Sequence, residues 1–282
     1  MFFTKIFISG LNTGMMDAKK IISDARPGDH DNDNKSSTPP LTPNLIPFVT
    51  ADGSMSYRNI SVDEMYHTKS GALQESFEKH ARPLKVWEKD NPVIYDICFG
   101  LGYNAAAAID VIREHGNDSR ITVFCFENDP DILRKILEID ADFACFGLIK
   151  VFIEKFLEKY DAHEYRLNDD LRHELNAHPF SQYFQEENIE FIMLFGDARI
   201  EILSAFSDAD FVFFDPFSPT HHPEMWDLKF IKDVYDKMNT GGKLSTYSYA
   251  RRVRESFSAA GFRVISGPII GRISPSTIAI KD

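Results

Sequence analysis

Cysteine is scarce in this sequence. Cys98, Cys125 and Cys145 are the only three, and no two of them form a C-x-x-C pair. That excludes a disulfide framework and a cysteine-based zinc ribbon, so we read them as small buried apolar side chains in a reducing cytosol and expect a cytoplasmic protein without a structural metal. Positive charge is also in deficit. Against 43 Asp and Glu stand 31 Lys and Arg, a net charge of −12, with an isoelectric point near 5.2. Bulk attraction to nucleic acid is excluded, because that binding rests on Lys and Arg neutralising phosphates; a local basic patch is not. Long apolar runs are missing too. None approaches the roughly 20 residues of a membrane helix, so no membrane association is expected. The stretch Met1–Leu11 lacks a clear small-residue cleavage site and reads as no signal peptide, with Met15 or Met16 as alternative starts.

What is present describes a folded α/β protein. Hydrophobic residues make up 43% and charged residues 26% of 282 residues, close to the globular average and enough chain for one sizeable core. The segment from Ser23 to Asn44 is rich in Asp, Asn, Ser, Pro and Gly, so residues 1–45 are expected to be a poorly ordered leader. Order is expected from Ile46, with a hairpin turning at Asp52-Gly53 in an N-terminal hairpin or lid over 46–90. From Val93 strands and helices alternate. Val93–Cys98, Ile121–Phe126, Glu190–Phe195, Ala209–Phe214 and Lys243–Ser248 read as strands. Ala105, Ala108, Ile109 and Ile112 share one helical face that Gly116 closes, and Asp129-Pro130 can cap and open the next helix. Phe230, Val234 and Met238 mark a helix that Gly241-Gly242 is expected to end, and a last helix with Val253 and Phe257 stops at Gly261. Phe262–Ser266 and Thr277–Ile280 close the chain as a pair. Residues 152–186 are charged and poor in strand signal, and are expected to form a helical insertion. The pattern implies a seven-stranded, mostly parallel sheet with one antiparallel strand and helices on both faces.

Four acids fall at strand ends. Asp96 precedes Phe99-Gly100-Leu101-Gly102-Tyr103-Asn104, a glycine turn that opens a helix. A dinucleotide site would want a third glycine, and a diphosphate beside Asp96 would be repelled; a ligand with an amino group and a sulfonium would not. Glu127 ends the second strand, where a carboxylate can accept both ribose hydroxyls, or can be a solvated acid. Asp197 can receive an adenine amino group, cap the helix at Ala198, or both. Asp215, in Phe214-Asp215-Pro216-Phe217-Ser218-Pro219, reaches the carboxyl edge of the sheet, where open α/β folds place their ligands. Phe217 and Trp226 can stack on a base or support the loop, His67 and Tyr66 can form a lid or pack, and Arg251, Arg252 and Arg272 can contact phosphates or be solvated.

Beyond the glycine turn and the Asp215 loop, the segments Tyr66–Ser76, Pro223-Glu224-Met225-Trp226, Ala260-Gly261-Phe262 and Gly271-Arg272 resemble the methyltransferase domain of the MnmC family over roughly Phe48 to Lys281. The resemblance implies a Rossmann-like class I methyltransferase that uses S-adenosylmethionine and methylates the aminomethyl group on a wobble uridine of tRNA. It implies that Gly71, Gln74 and Glu75 lie near the methionine end of the cofactor, beside Gly100 and Gly102, and that Asp215 sits at the acceptor amine. The flavin oxidase domain of bifunctional members has no counterpart in the resemblance, and the residues after Gly271-Arg272 are Ile-Ser-Pro-Ser rather than basic. A spermidine-synthase-like aminopropyltransferase and a non-catalytic methyltransferase-like module are the alternatives; the first lacks its denser glycine-and-acid loop here, and the second is opposed by the presence of all four acids.

Overall fold

Strands β4 (Val93–Ile97), β5 (Ile121–Glu127) and β8 (Ala209–Phe214) are apolar along almost their whole length. Ile94, Tyr95, Ile97, Val123, Phe124, Phe126, Phe213 and Phe214 are all fully buried. Strands covered on both faces read as unbroken apolar runs, the signature of a parallel sheet sandwiched between helices. The computed structural model describes residues 44–141, 143–165 and 180–282. Nearly all of the expected leader, including the alternative starts, and residues 166–179 of the expected insertion lie outside the described residues.

With β6 (Phe180–Glu186), β7 (Ile189–Phe195), β9 (Met238–Thr246), β10 (Arg263–Ser266) and β11 (Thr277–Ile280), the sheet has, among the described residues, eight strands in the order β10-β11-β9-β8-β4-β5-β7-β6. Strands β9, β8, β4, β5 and β7 run parallel, while β6 and β11 run against their neighbours. The class is the expected one. The count is corrected from seven strands and one reversal to eight and two, because β6 folds back on β7 through Glu187-Asn188, with Glu187 at φ 53. Within residues 152–186 the first part belongs to a helix, Phe146–Tyr165, and the last to this strand.

One face of the sheet carries helices α2 (Tyr103–Glu114), α3 (Pro130–Glu138) and α4 (Phe146–Tyr165), whose Ile109, Ile132, Ile136 and Phe152 pack with Val123, Phe191 and Phe213. A preceding helical segment joins them: α1 (Ala72–Glu75), running on as a π-helical stretch, Ser76–Ala81. The other face carries α5 (Ala198–Glu201), α6 (Leu228–Asp236) and α7 (Arg251–Ala260), packing Phe230, Val234 and Phe257 on Tyr95, Phe124 and Phe214. The expected end of α6 is corrected. The helix stops at Asp236, Met238 already belongs to β9, and Gly241-Gly242 lie within that strand. A Cβ on Gly242 would come 2.7 Å from the Asn239 carbonyl oxygen and 3.2 Å from that of Ala209. The glycine serves the register shift between Ala209 and Phe211 rather than a helix stop.

A small antiparallel sheet, β1 (Leu45–Val49), β2 (Met55–Asn59) and β3 (Glu64–Met65), holds the Asp52-Gly53 turn. Asp52 is fixed by Thr50 and Ser54 and accepts the Gln74 N–H at 2.9 Å, which ties the turn to the start of α1.

Candidate active site

Between β4 and α2 the backbone turns through left-handed conformations at Cys98 (φ 64), Gly100 (φ 55) and Gly102 (φ 74). Gly102 leaves no room for a side chain: a Cβ would lie 2.7 Å from Ile149 and 2.9 Å from the Phe99 ring. Beside this turn, at the carboxyl ends of β4, β5, β7 and β8, opens a cavity of about 410 Å³. Glu127, Asp197 and Asp215 line it from the sheet, Glu75, Lys79 and His80 from the α1 segment, and Tyr66, His67 and Thr68 from above.

Each acid has its own environment. Glu127 is buried and accepts N–H groups from Gly100 (2.8 Å), Asn128 (2.8 Å) and Asp129 (3.0 Å). Burial pushes its pKa up against those bonds. Asp96 is fully buried, and neither carboxylate oxygen has a hydrogen-bond partner. Burial and then the charge of Asp215 push its pKa well up; the Ala105 N–H and the Asn104 amide oppose the shift without reaching hydrogen-bond geometry. Asp197 caps α5 through the Arg199 N–H at 3.0 Å and is gripped by the Arg199 guanidinium, which holds its pKa down. Asp215 accepts from the Asn104 amide at 3.3 Å, and its Oδ2 lies 3.7 Å from Nε2 of His80. Burial pushes Glu75 up, but its ion pair with Lys79, the charge of His67 and the bonds from Thr68 win and hold it low.

The roof is clasped to the floor. Glu64 accepts the Ser218 N–H at 2.8 Å and also binds the Ser218 hydroxyl and His221. Tyr66 meets the Phe217 ring edge-on at 4.9 Å.

A sequence model of an S-adenosyl-L-methionine-dependent methyltransferase family matches residues 162–282. An uncharacterized protein of Methanocaldococcus jannaschii is 31% identical over 234 residues, covering 83% of this chain and 58% of that protein. The bifunctional tRNA 5-methylaminomethyl-2-thiouridine biosynthesis protein MnmC of Leptospira interrogans is 27% identical over 221 residues, covering 74% of this chain and 31% of that protein. The chain thus spans less than two thirds of either curated relative. The crystal structure of MNMC2 from Aquifex aeolicus superposes with a TM-score of 0.68 at 28% identity, over 86% of this chain and 72% of that one. By these matches the chain is similar to S-adenosylmethionine-dependent methyltransferase domains of the MnmC type. The residues present fit that cofactor. Asp96 is an orphaned buried carboxylate suited to a cationic ligand, and Glu127 lines a cavity of ligand size.

Around this cavity the structure gathers five of the expected residues, Glu75, Glu127, Asp197, Asp215 and Phe217, along its wall. Phe99, Gly100, Gly102 and Asn104 are not on the wall but shape the turn or bond to Glu127 and Asp215, and Asp96 feels the charges of both. One expectation is corrected, and two open alternatives are narrowed. Gly71 and Gln74 do not line the cavity: Gly71 packs on Asp52, where a Cβ would fall 1.9 Å from the carboxylate, and the Gln74 side chain is exposed. Trp226 offers no stacking face. It is 5% exposed, donates its indole N–H to the Phe217 carbonyl at 2.8 Å and packs on Phe214, so it supports the loop. The arginines separate. Arg251 stands exposed and paired with Glu255, and Arg252 borders a small hollow beside Pro219 and Trp226. Arg272 is half-buried over the Tyr247 ring, its pKa lowered by burial against the pull of Glu75, Tyr247 and Asp215. Sequence reasoning passed over Lys79, His80, Ser245 and Tyr247. The i, i+4 spacing of Glu75 and Lys79 before His80, on a helix facing the core, was the available signal.

No helix among the described residues is long and apolar enough to cross a membrane, and none of their His, Cys, Asp and Glu side chains cluster in threes able to hold a metal ion.

Proposed function

We propose that this domain methylates the exocyclic aminomethyl nitrogen of a modified wobble uridine in tRNA, converting 5-aminomethyl-2-thiouridine to the 5-methylaminomethyl form. The observation that carries the reading is Asp215: a carboxylate on the cavity wall, held from behind by Asn104 and facing the space beside Tyr66 and Phe217. The similarity to proteins named for that biosynthesis supports it.

The acceptor is a primary amine, mostly protonated at neutral pH and unable to attack in that form. Asp215 accepts a hydrogen bond from the ammonium, orients it and takes its proton, freeing the nitrogen lone pair. The enclosed cavity disfavours the charged amine and so eases that transfer. S-adenosylmethionine, held by Glu127, Asp197, Glu75 and Asp96, would supply an electrophilic methyl group on a sulfonium that departs as a neutral thioether. Asp215 then releases the proton it took to solvent, and the product leaves as the secondary ammonium. Positioning of nucleophile and methyl group contributes much of the acceleration, about 7–11 kcal/mol in well-oriented reactions. The residues assigned to the cofactor are Glu127 for the ribose, Asp197 for the adenine edge, and Glu75 with Asp96 for the methionine end. Arg272, over the ring of the cavity residue Tyr247, is the cation offered to phosphate, local positive charge on an acidic body.

The test is transfer of labelled methyl to tRNA carrying aminomethyluridine, with analysis of the released nucleosides. Asp215→Ala is expected to abolish turnover while calorimetric binding of S-adenosylmethionine persists. Normal turnover by that variant would remove Asp215 from the reaction.

A further inference from the structure

His80 is one of the most deeply buried polar residues of the protein, 1% exposed, yet its ring lines the cavity. It lies on the π-helical stretch Ser76–Ala81, an uncommon element that recurs at functional sites. Nδ1 stands 2.9 Å from the hydroxyl of Ser245 on β9, itself fully buried. Nε2 points to Oδ2 of Asp215 at 3.7 Å. The ring edge also meets Phe213 on β8, centroids 5.7 Å apart.

We propose that His80 is the positioning residue for the acceptor-side carboxylate: held by Ser245, it presents an Nε2–H to Oδ2 of Asp215 and thereby reserves Oδ1 for the incoming amine. This rests on the acceptor reading given above and adds to it the residue that aims the carboxylate.

The tautomer follows from the neighbours. An Nε2 lone pair facing a carboxylate would be repelled, whereas an Nε2–H is attracted. With the proton on Nε2, Nδ1 is an acceptor, and the Ser245 hydroxyl is the donor beside it. Asn104 donates to the same oxygen, Oδ2, at 3.3 Å. Two donors from opposite sides, the α1 segment and α2, thus converge on one carboxylate oxygen and leave the other uncommitted. The ring stays neutral. Burial lowers its pKa, and the charged neighbours do not reverse this: Asp215 and Glu75 favour the cation, while Lys79 and His67 oppose it. A neutral ring matters in a cavity that must accept a cationic ligand and help an ammonium shed its proton. At 3.7 Å the Nε2–Oδ2 contact is longer than a hydrogen bond, and closes when the carboxylate swings to take up its partner.

The experiment compares His80→Phe, His80→Gln and Ser245→Ala in the full chain. His80→Phe is expected to keep wild-type calorimetric affinity for S-adenosylmethionine and to lose about 10–100-fold in kcat, the scale of a misaimed reacting group. An N–H donor favours the charged form of the carboxylate it faces, so with the donor lost the acid limb of the kcat profile moves to higher pH. His80→Gln, whose amide still presents an N–H, restores most of the rate and returns the limb; a merely structural role would leave the limb where it is in all three. Equal losses in the Phe and Gln variants with an unmoved limb would overturn the proposal. Nitrogen-15 NMR of the wild-type ring supplies a readout independent of the acceptor: a proton on Nε2 that becomes less localised in Ser245→Ala supports the assignment, and a proton fixed on Nδ1 refutes it. If the wild-type protein transfers no methyl to aminomethyluridine, the substrate reading fails, and the NMR result alone decides the orientation of His80.

Discussion

Asp96→Asn is expected to do two opposite things: stabilise the protein without cofactor and weaken its hold on S-adenosylmethionine. Asp96 is fully buried, and neither of its oxygens has a hydrogen-bond partner. Leaving a buried polar group unsatisfied costs about 1–3 kcal/mol, and more when it is charged. Burial and the charge of Asp215 raise its pKa in the folded state. An acid whose folded pKa is raised contributes stability that is fully present below its unfolded value and is lost as pH rises through the folded one. The asparagine has no charge to bury, so its advantage is largest at pH 8 and fades toward pH 4. At about 2–4 °C per kcal/mol for a domain of this size, a gain of about 1–3 kcal/mol raises Tm by about 2–12 °C at pH 8. The cofactor carries positive charge, and a hydrogen bond to a charged group is worth about 1.5–3 kcal/mol, so Kd should rise about 10–150-fold. The assay is thermal unfolding across pH 4–8 beside calorimetric titration. A lower Tm at pH 8, or a gain of the same size at both pH extremes, would refute the reasoning from charge burial.

Gly102→Ala forces a side chain into a left-handed conformation and against Ile149 and Phe99. At about 1–2 kcal/mol for the backbone and about 1–3 for overpacking, a loss of about 2–5 kcal/mol should appear in urea unfolding. Lys79→Met leaves Glu75 buried without its counter-ion. The expected loss is about 3–5 kcal/mol at neutral pH, smaller in acid as Glu75 protonates, measured by denaturation at both pH values. Trp226→Phe removes the bond to the Phe217 carbonyl. About 1 kcal/mol of stability should go with it, and kcat should fall more than cofactor affinity because the Asp215 loop loses its strut.

The parallel strands were legible because burial on both faces leaves unbroken apolar runs such as Ala209–Phe214. Helix α2 was legible in its alanine and isoleucine face, and α3 in its cap, where Asp129 accepts the Asp131 N–H as Asp129-Pro130 suggested. Strand β6 was not, because its turn is Glu187-Asn188 and carries no glycine to announce φ 53. Gly241-Gly242 misled for the converse reason: a glycine pair marks a close backbone approach as readily as a helix end. The strand-end acids came from order along the chain alone. His80 and Ser245 lie 165 residues apart, and Lys79 is buried where the α1 segment packs on α2. Such meetings leave no trace in local periodicity. Trp226 was ambiguous by nature, an aromatic body with one polar handle that fits a surface or a core equally.

The alternation of left-handed backbone at positions 98, 100 and 102 sets what this chain will tolerate under random substitution. Two of the three steps hold glycine, and the first holds a cysteine under conformational tension that a glycine there would relieve. Valine or isoleucine at position 98 has no comfortable way to adopt φ 64 and should be purged. A profile that scores only glycines would weigh two rungs of this ladder and overlook the third, although all three bend the same strand exit.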